Sequence, residues 1–169
     1  YFVRDAFSSR KSNQKIAYFQ PLTILEIEAI HKNKGTLENF REIKIATPFQ
    51  SIYSDIYKST IVLFISEILH HSIHEEEKNE GLFEFLETAL NWLDTHEHTA
   101  NFHLTLLLEA TKYLGFYPDI SAIDLPYFEM TEGIFSNFHA LSSLSEAETQ
   151  LLRRLIAIKF DNDHKSFHV

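Results

Sequence analysis

Residues 99–119, TANFHLTLLLEATKYLGFYPD, read as one helix with a hard stop. Thr99 or Asn101 suits the N-cap position, where a short polar side chain meets unpaired backbone N–H groups. Phe102, Leu106, Ala110 and Tyr113, with Leu107 and Leu114, recur at spacings of three, four and seven and so share one side. Leu104 and Leu108 widen the stripe until little polar surface remains, which predicts a largely buried helix. Lys112 lies in the last turn, where the helix dipole is negative. Gly115 supplies a left-handed residue, Phe116 is placed to fold back on the last turn, and Pro118 prevents continuation. A chain organised around such a helix needs other helices to cover it.

The remaining segments supply them. From 54 to 74 the pattern is helical, with Ile56, Thr60, Leu63, Phe64, Glu67 and Ile68 on the 3.6-residue period. The run IVLFI at 61–65 is apolar all round, which predicts a second central helix. Residues 80–95 form a third, with Leu82, Phe83, Leu86, Leu90 and Leu93 as its stripe. Short links predict that 54–74, 80–95 and 99–114 pack as an antiparallel bundle. Ser145 with Glu148 three residues on is a capping box and starts a fourth helix to about 160, with Leu151, Leu152, Leu155, Ile156 and Ile158 as its apolar set. Between these helices, 127–130 and 134–135 flank Thr131-Glu132-Gly133 and read as a small hairpin with Gly at its turn.

The first part of the chain is different. Tyr1–Val3 reads as the end of a strand, and 4–20 is polar and irregular. After Pro21, Leu25, Ile27 and Ala29 alternate with Glu26 and Glu28, as in a half-buried strand. His31–Gly35 is a turn, and 37–45 is a second strand with Arg41, Ile43 and Ile45 alternating against Phe40, Glu42 and Lys44. An isolated hairpin is marginal in water, so more sheet is expected than these residues supply. Tyr1 is not a natural start, and an N-terminus beyond it is expected.

Charge divides the chain in the same place. The net charge is −9, but residues 1–60 carry +3 and the remainder −12. A polyanion would be met by the first region and repelled by the second. Arg4, Arg10, Lys11 and Lys15 lie among Ser and Asn, flanked by Phe7, Tyr18 and Phe19. Basic groups neutralise phosphates and exposed aromatic rings stack on unpaired bases, so DNA or RNA binding is one reading. The other is a solvated loop whose aromatics pack on the sheet. Lys32 and Lys34, at the hairpin turn, are the second choice for phosphate contact.

Other chemistries find little support. The chain has no Cys, which removes disulfides, thiolate metal sites and Cys nucleophiles. The four Gly are scattered, and neither a P-loop nor a G-x-G-x-x-G motif occurs. No G-x-S-x-G elbow exists. His70 and His74 are one helical turn apart with Glu67 and His71 nearby, a spacing that can place two imidazoles on one metal. The His-Glu-x-x-His pattern is absent and no third ligand is set by spacing, so a structural or surface role is the favoured reading of these residues. His96 and His98 sit in a polar link and read as solvated. No segment approaches the length of an apolar membrane span.

Seven short motifs, in order, carry a resemblance. They are an aromatic-Val-Arg strand end before a basic loop, FQPLTILEIE at 19–28, REIK at 41–44, FISEIL at 64–69, NFHLTLLL at 101–108, KYLGFYP at 112–118 and FEMTEGIF at 128–135. The chain is similar along essentially its whole length to the bacterial RecO family of recombination mediators, most of all to its Bacteroidetes branch. The resemblance implies an α+β protein: the latter part of an N-terminal OB-type β-barrel over 1–47, then an α-helical bundle domain over 48–169 with a β-hairpin insertion at about 119–139. It implies that the chain is truncated at both ends relative to the family.

It also implies a non-enzymatic protein of the bacterial cytoplasm and nucleoid that binds single- and double-stranded DNA and anneals complementary strands. Its partners would be RecR and single-stranded-DNA-binding protein, with no cofactor and no membrane. The DNA-binding residues on this reading are Arg4, Arg10, Lys11, Lys15, Lys32 and Lys34. Many family members carry a four-Cys zinc site in the insertion. Residues 119–139 here contain no Cys, so the hairpin is expected to be kept without the metal, with Tyr127, Phe128 and Phe135 packing in its place. A helical interaction scaffold without nucleic-acid binding is the alternative, and a His/Glu metallohydrolase at His70 and His74 the third reading. Metal analysis of the purified protein should find no stoichiometric zinc, and a bound metal at one per chain would revive the third reading.

Overall fold

In a computed structural model, which describes residues 18–29, 40–73, 78–97 and 99–158, Gly115 adopts φ 83° and ends its helix as the sequence requires. The backbone N–H groups of Gly115 and Phe116 both donate to the Thr111 carbonyl, so the chain turns back on the last turn. Only the backbone returns: the Phe116 ring stays exposed. The described elements are β1 (Leu25–Ala29), β2 (Phe40–Ile45), α1 (Ile56–Ser72), α2 (Glu80–Thr95), α3 (Phe102–Leu114), β3 (Tyr127–Glu129), β4 (Ile134–Ser136) and α4 (Glu146–Ala157). They fall into two units, Tyr1–His70 and His71–Val169.

In the first unit β1 and β2 pair antiparallel, Leu25 opposite Ile45 and Ile27 opposite Ile43, with a bulge after Glu28. No further strand joins this sheet among the described residues. Leu25 and Ala29 are half-buried as alternation predicts, but Ile27 is exposed. The turn before β1 holds Leu22 at φ 57°, unusual for a side chain branched beyond Cβ. It is held by Thr23 N–H donating to Gln20 O and by the Tyr53 hydroxyl donating to Pro21 O.

Helix α1 corrects the expectation of an all-round buried helix. Its buried residues are Lys58, Val62, Ile65 and Leu69. Ile56, Leu63, Phe64 and Ile68, all on the period read from the sequence, lie on the opposite, exposed face. A helix apolar on every side carries no sequence preference for which side is covered, and the covered side here is the one bearing Lys58. That ammonium is retained because it donates to Ser51 Oγ at 2.7 Å.

The second unit is built on α2 and α3. Asn79 caps α2 through its side chain, accepting from Leu82 N–H at 2.9 Å. Asn101 occupies the N-cap of α3 without a side-chain bond. Phe85 stacks on Tyr113 at 5.2 Å and Trp92 on Phe102 at 5.8 Å. The start of α2 therefore meets the end of α3 and the reverse, which makes the pair antiparallel. Leu82, Ala89, Leu90 and Leu93 face Phe102, Thr105, Leu106 and Ala110 as the buried sides. Phe83, assigned to the α2 stripe from its period, points to solvent. His96 is not simply solvated: its ring stacks on Trp92 at 4.0 Å and its Nδ1 lies 2.8 Å from Trp92 O. His98 lies outside the described residues.

Helix α4 starts at the predicted capping box, with Glu148 N–H donating to Ser145 Oγ and Ser145 N–H donating to the Glu148 carboxylate. It holds the hairpin. β3 and β4 pair through Phe128 opposite Phe135, both buried, rings edge-on at 5.0 Å, and Gly133 turns the chain at φ 68°. Phe128 N–H donates to the fully buried Thr149 hydroxyl at 3.1 Å. Arg153 donates from Nε to Ile123 O at 2.5 Å and from its terminal nitrogen to Leu125 O, with its guanidinium 5.7 Å from the Phe135 ring. Leu151, placed in the apolar set from its period, is exposed, and Thr149 takes the buried position.

Two outcomes follow for this unit. Phe102→Ala removes a fully buried ring from between the helices and should cost about 3–5 kcal/mol, read by urea unfolding. Glu129 is held below its ordinary value of 4.5 by the Ser142 hydroxyl first and the Glu132 N–H second, and Glu148 below the same value by Ser145. A carboxylate depressed in the folded state stabilises fully above its unfolded value and loses that contribution as pH falls through the folded one. The melting temperature should drop on acidification from about pH 6 to about pH 3, and Glu129→Gln with Glu148→Gln should shrink that drop.

Candidate nucleic-acid interface

Phosphate recognition needs cations that are not already matched by anions nearby. The outward face of the β1–β2 hairpin does not meet that condition. Glu26 lies opposite Lys44, and Glu28 opposite Glu42. Arg41 relieves that like-charged pair by binding Glu28 at 2.8 Å, and Lys44 binds Glu42 at 3.0 Å. The Glu42 carboxylate, by hydrogen bond and by charge, raises the Lys44 ammonium above its ordinary value, so it stays charged but committed. Three carboxylates thus face two cations across the strands, and the strands form a slightly acidic platform rather than a basic surface.

The six cations selected from the sequence, Arg4, Arg10, Lys11, Lys15, Lys32 and Lys34, all lie outside the described residues. The described chain reaches both segments that carry them. Residues 30–39, with Lys32 and Lys34, connect Ala29 to its register partner Phe40. Residues 4–15 precede Tyr18, which is half-buried, and Phe19, which is 41% exposed. Of the aromatics flanking the basic segment, Phe19 therefore presents ring surface to solvent, the condition for stacking on an unpaired base. Tyr53, one element away, instead uses its hydroxyl on Pro21 O and Thr23 Oγ1 and its ring on Phe49 at 6.1 Å.

The metal reading at His70 and His74 falls only in part on the described residues. His70 and His71 are on α1, while His74 lies outside the described residues. Among the described residues no three of His, Cys, Asp and Glu converge on a metal position. Zinc does not fit the β3–β4 hairpin either: its chain supplies no thiolate, and the space between its strands is filled by Phe128 and Phe135. Thr149 and Arg153, which tie the hairpin to α4, were missed by sequence reasoning. Their signal, polar residues four apart on the helix side that also carries Leu152 and Ile156, is visible in the sequence for both. No helix among the described residues is long and apolar enough to cross a membrane.

Comparison with known proteins extends this picture. The family model described as "Recombination protein O C terminal" matches residues 53–167. The chain is 76% identical over 164 residues to the DNA repair protein RecO of Flavobacterium psychrophilum, covering 97% of this chain and 69% of that protein. It is 73% identical over 169 residues to the protein of the same name from Flavobacterium johnsoniae, covering 100% and 71%. Identity to the corresponding Bacteroides fragilis protein is 35% over 162 residues, covering 92% and 66%. No solved structure matches the chain.

Proposed function

The chain belongs to the RecO family, and on that premise we propose that it is a non-catalytic DNA-binding mediator of recombinational repair. It anneals complementary single strands and helps load the recombinase onto strands coated by single-stranded-DNA-binding protein, with RecR as its partner in the bacterial cytoplasm. Its DNA-binding part is the latter portion of an OB-type barrel over 1–47, and its helical domain runs over 48–169. The observation that carries this reading is the 73% identity to the F. johnsoniae RecO over an aligned length that covers the whole of this chain.

Physical chemistry supports the division of labour. The +3 balance of residues 1–60 attracts a polyanion, and the −12 balance of the remainder repels it. The hairpin strands neutralise their own charges, which leaves Arg4, Arg10, Lys11 and Lys15 as the first phosphate contacts and Lys32 and Lys34 as the second. Phe19 then offers a ring to an unpaired base. A helical interaction scaffold without nucleic-acid binding is the alternative, favoured by the acidity of the second unit. Acceleration of strand annealing by the full-length protein separates the two, since a scaffold does not accelerate it.

Contacts to phosphate are released by salt, with a slope of roughly 0.7 per contact on single strands. Replacing Arg10, Lys11 and Lys15 together by Gln should weaken single-strand binding and flatten the log–log salt dependence by about 2. The paired control, Arg41→Gln with Lys44→Gln, should leave the slope nearly unchanged. Unchanged affinity in the triple variant would place the site elsewhere.

A further inference from the structure

The second unit has a groove that the repair reading leaves unused. It has a volume of ≈ 770 Å³ and runs between the first half of α2 and the last half of α3. Its wall is aromatic: Phe85 stacks on Tyr113 at 5.2 Å, with Tyr117 beyond the Gly115 stop. Gly81 lets the ring sit close to α2: a Cβ there would lie 3.2 Å from the Tyr113 ring and push it out by a few tenths of an ångström. Asn79 Nδ2 donates to Tyr113 O at 3.3 Å and fixes the same end of α3. The rings are therefore held in place before anything binds, and ordering them costs little on association.

The charged residues that line the groove are Glu84, Glu109 and Lys112. The cation in the groove, Lys112, is already held: its ammonium donates to Glu109 at 2.6 Å and lies 4.5 Å over the Tyr117 ring. Glu84 lines the groove, is exposed, and forms no ion pair among the described residues. An apolar wall beside an unmatched carboxylate excludes phosphate and accepts an apolar side chain accompanied by a cation.

We propose that this groove docks an extended segment of a partner protein. The segment lays an aliphatic side chain against the Phe85–Tyr113 stack and Tyr117 and sets a lysine or arginine against Glu84. Preformed aromatic walls supply the anchor pocket, and the carboxylate selects the flanking charge. None of the residues that line the groove belongs to the segments proposed to bind DNA, and the proposal does not depend on that assignment.

The probe is a capped, dye-labelled peptide with Leu at its centre and Lys on both sides, titrated into the full chain by fluorescence anisotropy. Two counterparts replace Lys by Glu and Leu by Ser. The Lys–Leu peptide should bind, losing affinity about tenfold on the Leu-to-Ser change and about threefold to fivefold in a Glu84→Lys variant. Glu84 is exposed, so this variant keeps the fold. Amide and ring NMR shifts should map to Thr88, Tyr113 and Tyr117. Failure of the peptide to bind, equal binding of the Glu peptide, indifference to Glu84→Lys, or shifts outside the groove would each overturn the proposal.

Discussion

Two ring stacks, one at each end of the α2–α3 pair, set the geometry on which the second unit depends. Trp92 on Phe102 holds the turn between the helices, and Phe85 on Tyr113 holds their far ends. With both ends fixed, the register is fixed, and Ala89 and Ala110 lie on the buried sides, where small side chains let the helices approach. The same register brings Tyr113 over Gly81 and opens the groove beside it. It also delivers the Gly115 stop, from which the chain leaves toward the hairpin. Asp119 N–H then donates to Gly133 O at 2.8 Å, so the exit from α3 is tied directly to the hairpin turn.

The hairpin shows how a small element is held by its protein neighbours. Two short strands bury little surface and are not stable alone. A chain without Cys has no thiolates to offer. Here α4 takes over. Thr149 accepts the buried Phe128 N–H, Arg153 caps two loop carbonyls while covering the Phe135 ring, and the Tyr127 hydroxyl donates to Glu146 at 3.2 Å. On the other edge of β3, Leu144 N–H donates to Phe128 O at 2.8 Å. Each buried polar group of β3 meets a partner, which is the condition for burying so short a strand.

Charge is distributed with equal economy. The β1–β2 face neutralises itself through Arg41 and Lys44, so its strands present no net basic surface. The second unit concentrates carboxylates, with α2 carrying only acidic charge. The carboxylates of the second unit make its surface unfavourable to a polyanion, while the excess of basic over acidic residues lies within the first 60 positions of the chain.

Much of the local structure was legible. Residues 80–95 form the helix their stripe predicts, Ser145 and Glu148 close the predicted capping box, and Gly115 and Gly133 take the left-handed positions expected of them. These features depend on neighbours within a few residues, where propensity, periodicity and glycine freedom act directly. The errors have one cause. Ile56, Leu63, Phe64, Phe83, Leu104 and Leu151 sit on apolar periods yet face solvent, and Lys58 and Thr149 are covered instead. Periodicity says that a helix has an apolar side; it does not say which side finds a partner when several qualify. The amino-acid sequence by itself therefore determined where the elements start and stop, the charge division and the absence of thiolate chemistry. Only the tertiary structure decided which faces are buried, how Arg153 and Thr149 hold the hairpin, and where the aromatic groove lies, because each depends on a contact between residues far apart in the chain.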